Sequence, residues 1–355
     1  MASVNSQPLG SVLVTGGSGF VGARIISDFL ADPRWTSVSV VSRNPKKQFS
    51  NANYHSADIT DEKAVRALLA QVRPRVIVHA AAPQYTASPK ELERVVLRGT
   101  DIMLRCATDE NSVEAFVYTS SDNVIANKSV QKLTEDKAKL WDSMSKPFMP
   151  YGKYKALADD LVLKSNGNLL KTCVLRICGT YGEGDREGVA YGFLKQLKDK
   201  QHNVQFGNNK DLFDFNYVGN VSYAHCLAAE TLLVAPNDKF KTKVDGEAFF
   251  ITDDNPIRLW DFAHQVWAEA GDKSPRDKVK VVPWWVMILM ASVTEWVCWI
   301  IGKKDPPMRK MDFVYLQQGF VLDITKAKER LGYQAPFSQD EAIRRTVKWV
   351  LEQEK

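Results

Sequence analysis

The first half of the chain alternates short apolar runs with longer stretches in which apolar residues recur at helical spacing. The short runs are rich in valine and isoleucine and apolar at successive positions, which is typical of strands buried on both faces of a parallel sheet. The pattern predicts strands at 11–15, 37–42, 75–80, 115–120 and 171–178, and helices at 22–31, 61–71, 91–107 and 151–166. This alternation predicts a doubly wound α/β fold, with helices on both faces of the sheet.

A glycine-rich turn joins the first predicted strand to the first predicted helix. Gly16, Gly19 and Gly22 have the spacing G-x-x-G-x-x-G. Such glycines permit a tight turn, a close approach of backbone to a pyrophosphate, and close packing of helix on sheet. The helix N-terminus then presents free N–H groups and the positive end of its dipole to the phosphates. Because the motif lies within a βαβ unit, we expect a Rossmann-type dinucleotide site here, with a ligand-free tight turn as the alternative.

The end of the second strand bears on the choice of dinucleotide. An acidic residue at this point binds the ribose 2′-hydroxyl in NAD-preferring folds, but this chain has Ser42 and Arg43. A hydroxyl and a guanidinium suit a 2′-phosphate, so we expect NADP(H), with NAD(H) as the alternative if Arg43 only stacks on adenine. Asp58 follows a third short strand and either accepts from the adenine amino group or caps a turn toward residues 60–62. The full set of expected cofactor contacts is Gly16, Ser18, Gly19, Phe20, Val21, Gly22, Ser42, Arg43, Asp58, Ile59, Ala80, Ala81, Ala82, Tyr151, Lys155 and Cys178.

A tyrosine and a lysine four residues apart open the helix predicted at 151–166. Tyr151 and Lys155 therefore share one helical face, and an ammonium beside a phenol lowers the phenol's pKa. Such a tyrosine can serve as a general acid or base for an alcohol or ketone. Ser121, at the end of the fifth strand, places a hydroxyl where the strand ends open. Tyr154 competes for the role but has no lysine four residues on. The expected catalytic residues are Tyr151, Lys155 and Ser121.

After residue 181 the alternation weakens, and stretches rich in glycine and asparagine appear at 182–188 and 207–211. We expect a dinucleotide-binding domain over residues 1–182 and a smaller substrate-binding region over 183–355. Within that region, residues 214–253 are expected to return in part to the Rossmann sheet.

Composition excludes several other classes of protein. The five cysteines are scattered and the five histidines show no ligand spacing, so we expect no disulfide framework and no metal. The net charge of +5 is spread along the chain, which does not favour nucleic-acid binding. Residues 1–11 lack the pattern of a signal peptide. We expect an intracellular protein, either cytoplasmic or associated with the endoplasmic reticulum membrane, and a homodimer is left open.

The sequence resembles the extended short-chain dehydrogenase/reductases, within them the 3β-hydroxysteroid dehydrogenase and sterol-4α-carboxylate 3-dehydrogenase group. The motifs that carry the resemblance are 15–22 (TGGSGFVG), 118–121 (YTSS), 175–182 (LRICGTYG), 214–225 (DFNYVGNVSYAH), 246–262 and 324–333 (ITKAKERLGY). Two positions depart from the pattern. Val96 stands where the family has an asparagine in its proton relay, and Ile177 replaces a proline beside the nicotinamide.

The resemblance implies hydride transfer between NADP(H) or NAD(H) and a secondary alcohol or ketone of a sterol, steroid or terpenoid. In that chemistry Tyr151 transfers a proton, Ser121 hydrogen-bonds the substrate oxygen, and Lys155 holds the nicotinamide ribose. A nucleotide-sugar epimerase or dehydratase of the same superfamily is one alternative, but residues 255–301 are rich in Trp, Met, Ile and Val rather than in phosphate-binding groups. A non-enzymatic dinucleotide sensor is another, kept open by Val96.

One apolar segment near the C-terminus needs a separate explanation. Residues 281–301 run VVPWWVMILMASVTEWVCWII and are followed by Gly302, Lys303 and Lys304. Three interpretations stay open: a membrane-spanning helix, a helix in the membrane interface, and a lid over an apolar substrate. Glu295 disfavours a span, since a charge near the bilayer centre is costly. Tryptophans and flanking lysines are typical of a peripheral membrane contact.

Overall fold

The computed structural model describes residues 7–129, 131–234, 243–275, 279–303, 306–317 and 319–353. Its strands, in chain order, are β1 (Gly10–Thr15), β2 (Trp35–Ser42), β3 (Asn53–Ser56), β4 (Val76–His79), β5 (Ala115–Ser121), β6 (Lys171–Ile177), β7 (Gly179–Tyr181), β8 (Val204–Phe206), β9 (Leu212–Phe213), β10 (Phe215–Tyr217), β11 (Glu247–Ile251), β12 (Ile257–Arg258) and β13 (Lys280–Val282). Seven of them form one sheet in the order β11-β6-β5-β4-β1-β2-β3. Every neighbouring pair in this sheet is parallel, which confirms the predicted doubly wound fold.

Helices pack on both faces of this sheet. The helices are α1 (Phe20–Ala31), α2 (Glu62–Val72), α3 (Pro89–Leu92), α4 (Gly99–Asp109), α5 (Pro150–Lys164), α6 (Val189–Lys198), α7 (Val218–Leu233), α8 (Leu259–Glu269), α9 (Trp284–Ile300), α10 (Lys310–Gln317) and α11 (Gln339–Gln353). A 3₁₀ helix spans Asp122–Val124, and a π-helical segment spans Ala327–Leu331.

Local chemistry explains where several of these helices begin. Asp61 accepts hydrogen bonds from the backbone N–H groups of Lys63 and Ala64 at the start of α2, and the Ser88 hydroxyl caps α3 in the same way. Pro150 occupies the first turn of α5, where its missing N–H costs nothing. The helix predicted at 91–107 is correct in place, but it is interrupted by a π-helical segment, Glu93–Arg98.

Alternate residues of the strands enter two buried clusters on opposite faces of the sheet. Val12 and Val14 of β1 belong to the cluster that includes α1, α7, α8 and α11. Leu13, between them, belongs to the cluster formed with α2, α4 and α5. β11 pairs with β6 at the edge of the main sheet, and α7 packs against α1. Residues from 218–233 and 247–251 are therefore part of the Rossmann layers, while a domain boundary at residue 182 stays a prediction.

Candidate active site

The carboxyl ends of the parallel strands meet along one edge of the sheet. Thr15, Ser42, His79 and Ser121 end β1, β2, β4 and β5, and Ile177 ends β6. In open α/β sheets, this edge is where ligands bind. The topology thus gathers the glycine turn, the expected adenosine-ribose contacts and Ser121 on one side of the molecule.

The glycine turn is packed so closely that its glycines have no room for side chains. Gly16 has φ +73°, and a Cβ placed there would lie 2.8 Å from the Ala80 carbonyl oxygen and from the Ala81 backbone. A Cβ on Gly22 would lie 2.3 Å from the Gly16 carbonyl oxygen. No side chain among the described residues caps the start of α1 at Gly19. The close approach and the uncapped helix N-terminus fit a dinucleotide pyrophosphate.

The other predicted contacts in this region differ in burial. Phe20 and Val21 begin α1, half-buried, and Ala82 is exposed beyond Ala80 and Ala81. Ile59 is buried, and its side chain lies beneath Gly99 of α4.

The predicted contacts to the adenosine ribose lie at the end of β2. The Ser18 and Ser42 hydroxyl oxygens are 3.3 Å apart, which joins the glycine turn to β2. Arg43 is exposed, and its carbonyl accepts a hydrogen bond from the Ser56 hydroxyl. Arg43 thus follows Ser42 directly at the end of β2 and lies at the protein surface.

Asp58 forms a cap for the turn that follows β3. Its Oδ1 accepts hydrogen bonds from the backbone N–H and the hydroxyl of Thr60, and Arg94 lies 3.4 Å from Oδ2. Partial burial opposes ionisation, but the bonds from Thr60 and the Arg94 charge outweigh it and lower the pKa of Asp58. The turn cap, one of the two predicted roles, is thus observed.

Tyr151, Lys155 and Ser121 converge where β5 meets α5. Lys155 is buried, its Nζ donates to the Thr119 carbonyl at 2.7 Å, and the same atom lies 5.9 Å from the centre of the Tyr151 ring. Tyr151 is half-buried in the first turn of α5. The Ser121 hydroxyl accepts from the backbone N–H of Asn123 at 3.2 Å, which fixes it at the end of the strand. The three predicted catalytic residues thus share one end of the sheet.

The electrostatics of the pair differ from the sequence-based expectation. Burial, and after it the charge of Asp122, raises the pKa of Tyr151, whereas Lys155 was expected to lower it. Burial lowers the pKa of Lys155 to about 7, opposed by the charge of Asp159. Because desolvation disfavours its protonated form, Lys155 is a weak source of positive charge for the phenol. The expected depression of the Tyr151 pKa is therefore wrong, since burial raises it instead.

Tyr154, the competing tyrosine, is half-buried among the apolar side chains that pack α5 against α4. It lies on a different face of α5 from Lys155, because the two residues are consecutive in the helix. This placement agrees with a packing role.

An ion pair beneath the site anchors α5 to the sheet. Asp159 lies one turn beyond Lys155, and its Oδ2 accepts from Arg176 of β6 at 2.8 Å and from the Ser120 hydroxyl at 3.1 Å. The Asp159 and Arg176 side chains are 0% and 5% exposed. This pair holds the helix that carries Tyr151 and Lys155 against two central strands.

Two buried histidines flank Lys155, and sequence reasoning missed both. His225 of α7 donates from Nδ1 to the Val221 carbonyl at 2.7 Å, so its Nε2 accepts from the Thr119 hydroxyl at 2.8 Å. Burial lowers the pKa of His225 to about 4. His79 bridges the Thr15 and Thr100 hydroxyls at 2.8 and 3.1 Å, and burial lowers its pKa to about 3. Both rings are neutral and connect neighbouring elements through their hydrogen bonds. An isolated histidine in the sequence carries no local signal of this role.

The two departures from the family pattern have apolar surroundings. Val96 is fully buried in the π-helical segment, and its carbonyl accepts a hydrogen bond from the Thr100 hydroxyl. No polar side chain is therefore supplied from position 96. Ile177, 9% exposed, ends β6, and the N–H of the buried Cys178 donates to the Asn216 amide oxygen at 2.7 Å.

A carboxylate next to Ser121 was not predicted. Asp122 is 1% exposed and contacts Ser121, Lys128 and Tyr315. Its position directly after Ser121 in the sequence is the one local signal of a carboxylate near that hydroxyl. The contact with Tyr315 of α10, 193 residues away in the chain, has no local signature.

Helix α9 exposes most of its apolar side chains. Ala291 and Cys298 are buried against the body of the protein, and Glu295 accepts from the backbone N–H of Lys310 at the start of α10. Opposite them, a continuous apolar face is exposed, and we call it the α9 face; its residues are Trp285, Leu289, Met290, Val293, Trp296, Val297, Trp299 and Ile300. Trp296 and Trp299 are 62% and 77% exposed. They therefore do not pack over a substrate site in this structure, whereas the lid interpretation expected them to do so. Lys304 lies outside the described residues.

The membrane-spanning interpretation also lacks support from helix length. Within the described ranges, we find no helix with both the length and the apolar character needed to cross a bilayer.

Comparison with known proteins identifies close relatives. The sequence profile of the 3-beta hydroxysteroid dehydrogenase/isomerase family matches residues 13–281. The sterol-4-alpha-carboxylate 3-dehydrogenase (decarboxylating) of Saccharomyces cerevisiae is 34% identical over 359 residues, covering 96% of this chain and 97% of the relative. The enzyme with the same description from Gibberella zeae is 33% identical over 297 residues, covering 82% of this chain and 96% of the relative.

Solved structures agree on the fold. The dTDP-glucose 4,6-dehydratase of Bacillus anthracis in complex with NAD superposes with a TM-score of 0.72 at 16% identity, covering 97% of each chain. Identity this low supports the shared extended Rossmann architecture and nothing finer.

Proposed function

The chain belongs to the 3-beta hydroxysteroid dehydrogenase/isomerase family, and from this premise we propose that it oxidises the 3β-hydroxyl of a sterol that carries a 4α-carboxylate. It is an NAD(P)-dependent oxidoreductase that acts on CH–OH groups, as its relatives are. The observation that carries the proposal is that Lys155 lies near the Tyr151 ring and bonds the Thr119 carbonyl of β5, the strand that ends at Ser121. The two fungal relatives above carry the substrate class in their names.

The proposed reaction removes a hydride from C3 and a proton from the 3-hydroxyl. The bound nicotinamide supplies the hydride acceptor. Tyr151 takes the hydroxyl proton as general base, and Ser121 hydrogen-bonds the same oxygen. Lys155 would hold the cofactor ribose through a hydrogen bond from its Nζ. The product is a ketone whose carbonyl is β to the 4-carboxylate; breaking the C4–carboxylate bond then releases CO₂ and leaves the electron pair on the enolate.

The proposal is tested with purified protein, oxidised cofactor and a 3β-hydroxysterol 4α-carboxylate. We expect reduced cofactor, followed at 340 nm, and CO₂ in equal amounts. The matching 3β-hydroxysterol without a carboxylate serves as control and should give reduced cofactor without CO₂ or no turnover. A panel of nucleotide sugars is run alongside. Turnover of a nucleotide sugar and of no sterol or steroid would overturn the assignment in favour of the epimerase or dehydratase alternative.

We infer that the preferred cofactor is NADP(H). The inference is supported by the absence of a carboxylate at the end of β2 and by the exposed Arg43 beside Ser42. A carboxylate at position 42 would repel a 2′-phosphate. Ser42→Asp with Arg43→Leu should therefore reverse the ratio of kcat/KM for the two cofactors. Equal or higher kcat/KM with NADH for the unaltered enzyme would contradict the inference.

We also propose that the α9 face lies in the interface of a lipid bilayer. Its three exposed tryptophans, 62–77% exposed, favour the headgroup boundary, and Lys303 at the end of the helix can pair with anionic lipid. A surface of this size would be costly in water if nothing covered it. An endoplasmic reticulum location and a homodimer stay predictions.

Vesicle flotation tests this contact. Trp285→Ser with Trp296→Ser should weaken binding to vesicles of phosphatidylcholine and phosphatidylserine. Leu169→Ser with Met144→Ser, which removes two exposed apolar side chains elsewhere, should not. If the protein fails to bind vesicles and instead sediments as a dimer that the tryptophan variant dissociates, a second copy covers the face and the membrane proposal is wrong.

A further inference from the structure

Asp122 links the Ser121 hydroxyl to a cation and to a distant helix. Its Oδ1 accepts a hydrogen bond from the Ser121 hydroxyl at 3.1 Å. Its Oδ2 accepts from Lys128 Nζ at 2.6 Å and from the Tyr315 hydroxyl at 2.9 Å. Both oxygens of this buried carboxylate are therefore bonded, and each bond orients a group at or beside the active site.

The cation partner of Asp122 is itself largely buried. Lys128 is 14% exposed at its side chain, against 2% for Asp122. Its Nζ lies 4.4 Å from the centre of the Tyr315 ring and 4.6 Å from that of Phe320. Buried charges persist only where they are paired and hydrogen-bonded. The aromatic rings and the short ion pair thus keep the lysine beside Asp122, where its charge offsets that of the carboxylate.

We propose that Asp122 is a positioning residue for proton transfer: it orients the Ser121 hydroxyl, and its charge, balanced by Lys128, sets the pH range over which Tyr151 exchanges a proton. The inference rests on the role given to Tyr151 under the proposed function. Neither the sequence motifs nor the family pattern indicated a role for Asp122, Lys128 or Tyr315.

The charges facing Tyr151 come from each element packed around it. Lys155 projects from its own helix, Tyr118 from β5, and Asp122 from the 3₁₀ helix; around Asp122 lie Lys128, Tyr315 of α10 and Cys178 at the end of β6. Burial raises the pKa of Tyr118, Tyr315 and Cys178 well above its ordinary range, so these groups are neutral near pH 7.

Among the groups just named, Asp122 and Lys128 form a charged pair, and the pKa of Lys155 is about 7. After burial, Asp122 is the second cause that raises the pKa of Tyr151. The negative charge makes loss of the phenolic proton harder, and a Lys128 charge that balances it makes the loss easier.

The test measures the ionisation of Tyr151 directly. Protein labelled with ¹³C at the tyrosine ζ carbon is titrated by NMR without substrate, and the Tyr151 signal is assigned from its loss in Tyr151→Phe. Asp122→Asn should move the ionisation of Tyr151 down by about 1 pH unit or more. Asparagine removes the charge but keeps an amide oxygen that can accept from the Ser121 hydroxyl, so the shift reports the loss of the charge. A Tyr151 signal that titrates as in the unaltered protein, or that ionises in neither protein, would overturn the proposal.

Lys128→Met tests the opposite direction and does not depend on the asparagine variant folding. With Asp122 uncompensated, the acidic limb of the pH profile of kcat/KM for oxidation should move up by about 1 unit, a shift that a merely structural role would not produce. Lys132→Met removes an exposed lysine four residues on and serves as control; its profile should be unchanged. A profile that moves down, or not at all, in Lys128→Met contradicts the proposal. If the unaltered enzyme turns over no substrate, the proposed function has failed, while the NMR titration still decides the role of Asp122.

Discussion

Two adjacent aspartates of α5 should differ widely in what they contribute to stability. Asp159 is fully buried and pairs with Arg176, whose side chain is 5% exposed. Asp160, the next residue, pairs with Lys164 at the surface, where the side chains are 52% and 73% exposed. Removing one partner of a buried pair leaves an uncompensated charge and costs about 3–5 kcal/mol. An exposed pair four residues apart contributes about 0.3–0.5 kcal/mol.

The change to make is Asp159→Asn, with Asp160→Asn as the matched control. Asparagine keeps the volume and an acceptor for the Ser120 hydroxyl, so the loss reports mainly the charge left on Arg176. We expect the free energy of unfolding to fall by about 3 kcal/mol or more for Asp159→Asn and by less than about 0.5 kcal/mol for the control.

Urea unfolding, followed by tryptophan fluorescence and circular dichroism, measures both variants. Equal losses for the two would show that the burial of the Asp159–Arg176 pair does not determine its energetic contribution. A loss at Asp159 under about 1 kcal/mol would refute the argument in the same way, because it lies far below the cost of a buried unpaired charge.

Three further predictions use matched variants or a pH series. Tyr151→Phe should lower kcat by about 10²–10⁴-fold with cofactor affinity retained. Tyr154→Phe should keep most activity in the same 340 nm assay. Near-equal kcat values for the two variants would disprove the assignment of Tyr151 as the proton-transfer residue. Gly22→Ala places a Cβ 2.3 Å from a backbone oxygen and should abolish cofactor binding measured by fluorescence titration, while Gly192→Ala, with open space at its Cβ, should not. The pKa of His225 is about 4 in the folded protein, against 6.5 in the unfolded chain. The unfolded chain therefore binds more protons between these two pH values. The free energy of unfolding should fall as pH drops through this window, by about 3 kcal/mol at pH 4. His225→Gln should flatten that part of the stability curve, and an unchanged slope would contradict the assignment.

Short-range patterns in the chain were sufficient for the fold and for the placement of Lys155 near Tyr151. Strand and helix positions follow from hydrophobic period, and the glycine spacing follows from the space available between β1 and α1. The relation of Tyr151 to Lys155 follows from helical geometry, since residues four apart share a face. These inferences succeeded because the physics that determines them operates within a few residues.

Burial and long-range pairing were decided only by the tertiary structure. Nothing local distinguishes Asp159 from Asp160, yet one lies against Arg176 and the other in water. The sequence placed Lys155 beside Tyr151 but not against the Thr119 carbonyl, where desolvation weakens its charge.

The same limit applies to the groups around Ser121 and to the last apolar segment. Tyr315 reaches Asp122 across 193 residues, because α10 folds back over the end of β5. The composition of residues 281–301 indicated an apolar helix, but which face it buries depends on the surface it packs against, and that surface is built from other parts of the chain. The sequence by itself determined the alternating strands and helices of the first half of the chain and the side-chain types that they carry. The tertiary structure decided which charges are paired, which are desolvated and which apolar face is left to solvent, since these depend on contacts between residues far apart in the chain.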